Sequence, residues 1–267
     1  MIKFFRRFRQ QLLIQNKFSK YILYAIGEII LVVFGILIAL QINNWNDTKK
    51  NALVEQNFFK EILDDIEKDR TEIDNIIDFY DNRIEQLGWL LKAIRHPNKK
   101  TEILEFGKHV EPLYYNIPPI SYSSAYESAK SSGVFEKIKN KNLLKELTQY
   151  YTEYSEIEAL LTSTLRIIET QLEPIMATIP ENYLQTSSST NVIAINQNDN
   201  NLFYSYISEI GDSRDIKIDL KSFLQKPEFE NFIIGDMGRA FNCKATINLR
   251  LKFLSSIEND IKTYLND

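Results

Sequence analysis

The residues that could act in catalysis or metal binding are few in this 267-residue chain. It contains one cysteine, Cys243, and two histidines, His96 and His109. A thiol nucleophile needs a base beside it, and only those two histidines could serve, so we interpret Cys243 as a small core residue. Glu105 and His109 are four residues apart and could share a helix face. Two ligands on one short segment do not make a metal site.

The longest run of acidic residues lies between positions 61 and 81. Its nine members are Glu61, Asp64, Asp65, Glu67, Asp69, Glu72, Asp74, Asp78 and Asp81. Their spacing matches no calcium loop and lacks the glycine of such a loop, so we interpret them as a solvated helix face. Phosphate-binding glycine loops, the nucleophile elbow and paired Glu-x-x-His motifs do not occur in the sequence. We therefore predict no catalytic residue, no metal and no cofactor, and a protein that is not an enzyme.

Tyrosines surround a segment that contains three prolines. They are Tyr114, Tyr115, Tyr122 and Tyr126. Such side chains could line a groove for a ligand or a protein partner, or they could pack in the core with their hydroxyls reaching the surface.

Residues 21–42 form an apolar run that could cross a membrane. As a helix these residues would extend about 33 Å, enough for a hydrocarbon layer of about 30 Å. The run is longer than a signal-peptide core and has no convincing cleavage site after it, which predicts an uncleaved transmembrane helix. Six basic residues and no acid precede it, and they are Lys3, Arg6, Arg7, Arg9, Lys17 and Lys20.

The positive-inside rule then places a basic leader, residues 1–20, in the cytoplasm and residues 43–267 on the far side of the membrane. The leader could lie along the inner leaflet as an amphipathic helix, or it could act only as a topology signal. Without those six basic residues and Glu28, the chain totals of 32 and 36 become 26 basic and 35 acidic residues. This acidic remainder argues against a nucleic-acid partner.

Two features inside the apolar run go beyond anchoring. Glu28 is an ionisable side chain in a segment where a charge is costly. Gly27, Gly35 and Ala39 are spaced to share a helix face, and Gly35-x-x-x-Ala39 would let two helix backbones approach closely. Together they predict association in the membrane, with a second copy of the chain or with another membrane protein. The alternative is a passive anchor whose Glu28 reaches the lipid head groups.

The rest of the chain shows helical periodicity and few glycines or prolines. The pattern predicts long helices over 47–94, 141–172 and 238–265. The first could be continuous with the membrane helix, and the second should end at Pro174. Short helices are expected over 101–110, from a cap at Ser123 to Gly133, and over 202–210 and 220–232; residues 185–201 read as a mobile loop. The last long helix should carry its apolar side chains on one side, namely Phe241, Ala245, Leu251, Leu254, Ile257, Ile261 and Leu265. The predicted fold is all-α: one N-terminal transmembrane helix followed by an antiparallel helical bundle.

Two stretches resemble a family of unknown function made up of single-pass membrane proteins from Gram-negative bacteria. The first contains Tyr24-Ala25-Ile26-Gly27-Glu28, Gly35-Ile36-Leu37-Ile38-Ala39-Leu40-Gln41 and Asn43-Asn44-Trp45-Asn46. The second runs from Ser124-Ala125-Tyr126-Glu127 through Lys130-Ser131-Ser132-Gly133 to Ile138-Lys139-Asn140-Lys141 and Tyr150-Tyr151. The resemblance implies an inner-membrane location, with Glu28 as part of the family pattern, and implies no reaction or ligand.

These observations favour a non-enzymatic interaction or scaffold module that is anchored in the inner membrane and has a periplasmic helical domain. The alternative is a periplasmic ligand-sensing domain with the tyrosine-rich region as its pocket. That alternative needs a partner protein, because only about twenty residues would lie in the cytoplasm to carry a signal.

Overall fold

The structure is a computed structural model that describes residues 18–96, 101–179, 206, 209–211, 213–214 and 219–266. All regular secondary structure within these ranges is helical, as predicted. The α-helices are α1 (Phe18–Arg95), α2 (Ile103–Val110), α3 (Ser124–Ser131), α4 (Val134–Lys137), α5 (Lys141–Thr152), α6 (Tyr154–Ile167), α7 (Glu173–Met176), α8 (Leu220–Leu224) and α9 (Pro227–Asn266). A 3₁₀ turn (Glu111–Tyr114) follows α2, and a π turn (Ile168–Leu172) joins α6 to α7. The leader up to residue 17, the predicted loop 185–201 and most of the predicted helix 202–210 lie outside the described residues.

The apolar run and the first amphipathic segment form one continuous helix, α1, of 78 residues. The chain divides into two compact units. The smaller unit takes in α1 up to Asn57 together with Glu136–Lys139. There the buried carboxylate of Glu55 accepts a hydrogen bond from the main-chain nitrogen of Lys139 (2.8 Å).

The larger unit takes in Phe58–Phe135 and the residues from Asn140 onward. Here α1 and α9 run antiparallel, since Arg95 pairs with Glu230 near one end and Arg70 with Glu258 near the other. Each helix buries apolar side chains at steps of three and four residues. From α1 these include Phe59, Ile62, Ile66, Ile73, Ile76, Tyr80, Leu87 and Leu90, and from α9 Phe229, Ile233, Ala240, Cys243, Ile247, Leu254, Ile257 and Ile261.

Helix α3 begins and ends close to the predicted residues, but its cap is supplied by a distant side chain. Ser123 occupies the N-cap position and makes no side-chain cap hydrogen bond. Instead, Asp65 of α1 accepts hydrogen bonds from the main-chain nitrogen of Ala125 (2.8 Å) and the hydroxyl of Ser124 (3.1 Å). At the other end Gly133 has a φ of +74°, the left-handed conformation that glycine adopts after a helix.

The predicted single helix over 141–172 is interrupted, and Pro174 does not end it. Thr152 is the last residue of α5, α6 begins at Tyr154, and helical structure continues through the π turn to Met176. Proline has no main-chain N–H to donate, but it is tolerated in the first turn of a helix, where that N–H has no intrahelical acceptor. Pro174 occupies this position in α7, directly after the π turn.

The last helix begins eleven residues before the predicted start. The short helix expected over 220–232 is divided: α8 ends at Leu224, Pro227 is the first residue of α9, and Gly238 lies in the interior of α9. The expected apolar side is confirmed for Leu254, Ile257 and Ile261, which are buried. It is wrong for Phe241 and Ala245, which are exposed, while Leu251 and Leu265 are only partly buried. The buried face of α9 contains two charged residues, Asp236 and Arg250, which an apolar pattern does not detect.

Candidate functional site

The densest polar cluster in the larger unit surrounds the carboxylate of Asp69 on α1. Asp69 Oδ2 accepts hydrogen bonds from the hydroxyls of Tyr150 (2.8 Å) and Ser121 (3.1 Å), and Oδ1 accepts one from the main-chain nitrogen of Tyr122 (2.5 Å). The guanidinium of Arg250 on α9 lies 3.6 Å from Oδ2 and donates to the Tyr150 carbonyl oxygen (3.1 Å). One carboxylate thereby joins α1, α5, α9 and the segment before α3.

The Arg250 guanidinium is enclosed by aromatic rings. Its central carbon lies 3.7 Å from the centre of the Tyr150 ring and 4.7 Å from that of Tyr154, within the range of cation–π attraction. Burial raises the pKa of Asp69, and the hydrogen bonds from Tyr122 and Tyr150 and the charge of Arg250 oppose that rise. Both charges are buried, so the arrangement fixes helices rather than presenting reactive groups to a substrate.

Two of the nine acids that we expected on a solvated face, Asp65 and Asp69, are therefore buried and bonded. The sequence contained a signal for Asp69. The apolar stripe of α1 passes from Ile66 to Ile73, and a helical step of three or four residues requires a stripe position near 69 or 70. A charged residue at such a position indicates a partner elsewhere in the fold.

A second buried ion pair joins α1 and α9. Arg83 Nε lies 3.0 Å and Nη2 2.9 Å from Asp236 Oδ2, and both side chains are at most 1% exposed. Arg83 Nη1 also donates to the carbonyl oxygens of Leu113 and Tyr115, each at 3.2 Å. Arg83 thus holds the residues around the 3₁₀ turn against α1.

The one cysteine lies in the core, as expected. Cys243 is fully buried beside Tyr80 of α1 and Thr164 of α6. The hydroxyls of Tyr80 and Thr164 are themselves 3.0 Å apart. Burial raises the pKa of the Cys243 thiol, so the thiol stays protonated at neutral pH and is a poor nucleophile.

His109 contacts groups on α1 and α2. Its ring stacks on that of Trp89 with centroids 3.9 Å apart, and its Nδ1 lies 2.5 Å from the side-chain oxygen of Gln86. Glu105 is 3.4 Å from Nε2, as the four-residue spacing suggested. No group of three or more potential metal ligands occurs within the ranges that the structure describes.

The apolar part of α1 is exposed from Ile26 to Ile42. The 18-residue window of highest hydropathy, with a mean of 2.5, contains no buried residue. By length and composition α1 could cross a membrane, and it is the one such helix within the described ranges. Glu28, Gly27, Gly35 and Ala39 all lie on this exposed segment. A Cβ added at Gly27 or Gly35 would meet no atom of the chain within 4 Å.

A sequence model described as a family of unknown function (DUF6090) matches residues 28–172. These 145 residues are more than half of the 267. The chain belongs to the DUF6090 family. Comparisons with curated proteins and with solved structures give no match.

The DUF6090 match begins at Glu28 and ends with the π turn. It contains the whole second stretch of the resemblance described above and the first stretch from Glu28 onward, so the expected membership of a family of unknown function is confirmed. Asp69 and Arg83 lie inside the matched range, and their partners Arg250 and Asp236 lie beyond it.

The four predicted tyrosines of this DUF6090 protein make different contacts. Tyr126 is buried and stacks on Tyr151, with ring centroids 4.6 Å apart. The main-chain N–H of Tyr122 donates a hydrogen bond to Asp69. The hydroxyl of Tyr115 donates a hydrogen bond to Glu111 (2.7 Å), and the carbonyl oxygen of Tyr115 accepts one from Arg83. Tyr114 is the last residue of the 3₁₀ turn. Three of the four are only partly buried.

Proposed function

We propose that this DUF6090 protein is a non-enzymatic interaction module anchored in the inner membrane of a Gram-negative bacterium. Residues 21–42 cross the membrane, the leader 1–20 lies in the cytoplasm, and residues 43–267 form a helical domain in the periplasm. The observation that carries this proposal is the exposed apolar half of α1. Of the 23 large apolar residues that are exposed in the described structure, 13 lie between positions 22 and 42.

An apolar surface of this size is unstable in water, and lipid is the environment that its length fits. The six basic residues before it support the orientation. The absence of enzymatic activity is proposed from the state of the reactive side chains: the buried acids are bonded within the bundle, and the thiol is protonated and inaccessible.

Membrane anchoring is tested by fractionating a Gram-negative host that expresses the full chain. We expect the chain to stay with membranes after an alkaline carbonate wash and a C-terminal alkaline phosphatase fusion to be active, since that enzyme works only in the periplasm. Val33→Arg with Leu37→Arg should release the chain, because each arginine costs about 2.5–3.5 kcal/mol at the middle of a membrane helix. A carbonate-soluble wild-type chain would refute the anchor, and an inactive fusion would refute the orientation.

Association through the membrane helix is the second part of the proposal. On a helix that turns about 100° per residue, Glu28, Gly35 and Ala39 lie within about 40° of one another, with Gly27 about 80° from Gly35. This small and polar stripe would let the backbone of a second helix approach, while Glu28 would find a polar partner.

We expect Gly35→Ile and Glu28→Leu each to lower the capture of a second copy about tenfold, when two differently tagged chains are co-purified from one membrane. A Cβ at Gly35 meets no side chain and no distant backbone of its own chain within 4 Å, so the loss would report on association. Leu37→Ile, on the opposite side of the helix, is the matched control and should leave capture unchanged. Equal capture by all variants would contradict association through this stripe. Capture of another membrane protein in place of a second copy would identify a hetero-oligomer.

A further inference from the structure

A groove runs between α6 and α9 on the larger unit. It has a free volume of about 460 Å³, and both helices contribute residues at steps of three, four and seven. Its lining is Glu153, Glu156, Ile157 and Leu160 from the α6 side and Thr246, Leu249, Arg250 and Phe253 from α9. Leu249 is 65% exposed although it is a large apolar residue.

The exposed charged side chains that line this groove are acidic. Glu153 and Glu156 are both exposed, whereas the Arg250 guanidinium is buried in the Asp69 cluster described above. On α9, Lys244 lies more than about 100° around the helix from every lining residue, and Lys252 lies outside the lining, about 60° around the helix from Leu249. A partner therefore meets two carboxylates beside an apolar floor.

We infer that the groove between α6 and α9 binds a cationic amphipathic helix of another protein or peptide. The apolar side chains of that helix, spaced at three and four residues, contact Ile157, Leu249 and Phe253, and its lysines or arginines lie beside Glu153 and Glu156. The net negative charge of the chain after residue 42 attracts such a partner before contact. This inference specifies the class of partner for the proposed interaction module. It rests on the proposed function only in assuming that the protein acts by binding a partner.

The probe is a fluorescent helical peptide of about 18 residues (five turns) made of leucine and lysine, with the leucines along one face. Its fluorescence anisotropy is titrated with the full chain in phosphatidylcholine nanodiscs, and empty nanodiscs give the lipid background. We expect saturable binding above that background at low salt, weakened about tenfold by Leu249→Ser and by Glu156→Lys. A leucine–glutamate peptide of the same pattern should not bind.

Two matched control substitutions test whether the peptide binds at the groove or elsewhere on the surface. Leu104→Ser removes another exposed leucine, and Glu127→Lys reverses another exposed carboxylate; both should bind the peptide like wild type. All four substituted residues are exposed, and unchanged circular-dichroism melting verifies folding.

Equal binding of the leucine–glutamate peptide, or undiminished binding by Leu249→Ser, would overturn the inference. So would self-association of the chain that is lost in Leu249→Ser while the peptide fails to bind, because the occupant would then be a second copy. The proposed function is tested separately: a chain that stays in the membrane and captures its copies but binds no peptide would refute only this inference.

Discussion

Replacing Arg83 with methionine is expected to lower the free energy of unfolding by about 3–5 kcal/mol, because it leaves the Asp236 carboxylate buried without its cation. The two side chains are among the least exposed charged groups in the described structure, and two arginine nitrogens lie within 3.0 Å of Asp236 Oδ2. The substitution also leaves the carbonyl oxygens of Leu113 and Tyr115 without their donor.

The measurement is denaturant unfolding of the full chain in a mild detergent, followed by the fluorescence of Trp89, which stacks on His109 inside the larger unit. Arg70→Met on the same helix is the matched control. Arg70 pairs with Glu258 at a site where both side chains retain contact with solvent, so its loss should cost about 0–1 kcal/mol. Equal losses for the two substitutions would show that the Arg83 pair contributes no more than a surface pair.

The positions of the long helices could be predicted from the sequence because apolar side chains recur at helical steps along α1, α5–α6 and α9. The polar residues inside those stripes could not be assigned in the same way. Asp69, Arg83, Asp236 and Arg250 occupy stripe positions, and a search for apolar periodicity records each of them as a gap. Their partners lie more than 150 residues away in the chain, so only the three-dimensional packing of α1 against α9 pairs them.

The position of the proline-containing segment between α2 and α3 also could not be predicted from the sequence. Its three prolines are typical of a loop, but they do not indicate where in the fold that loop lies. In the structure, side chains of α1 fix this loop at both ends: Arg83 binds carbonyl oxygens near the 3₁₀ turn, and Asp69 binds Ser121 and Tyr122. Tyr115 and Tyr122 are close in sequence but lie beside different buried charges, Arg83 and Asp69.

A substitution pair on α9 tests which face of that helix is the core. Phe229→Ala is expected to lower the free energy of unfolding by about 3–5 kcal/mol, because a fully buried ring is lost and a cavity remains. The Phe229 ring lies 4.9 Å from that of Phe223 and 6.1 Å from that of Phe106, so its removal disturbs α2, α8 and α9 together.

Phe241→Ala removes the same side chain from a residue that is 55% exposed and should change stability by no more than about 0.5 kcal/mol. Apolar periodicity alone assigns Phe241 to the core, whereas the structure assigns the core to the face that carries Asp236 and Arg250. The free energies of unfolding of the two variants, measured as described for Arg83→Met, therefore show which face of α9 packs in the core: the face that carries Phe241 or the face that carries the buried ion pairs. A large loss of stability for Phe241→Ala, together with a small loss for Phe229→Ala, would show that the other face of α9 packs in the core.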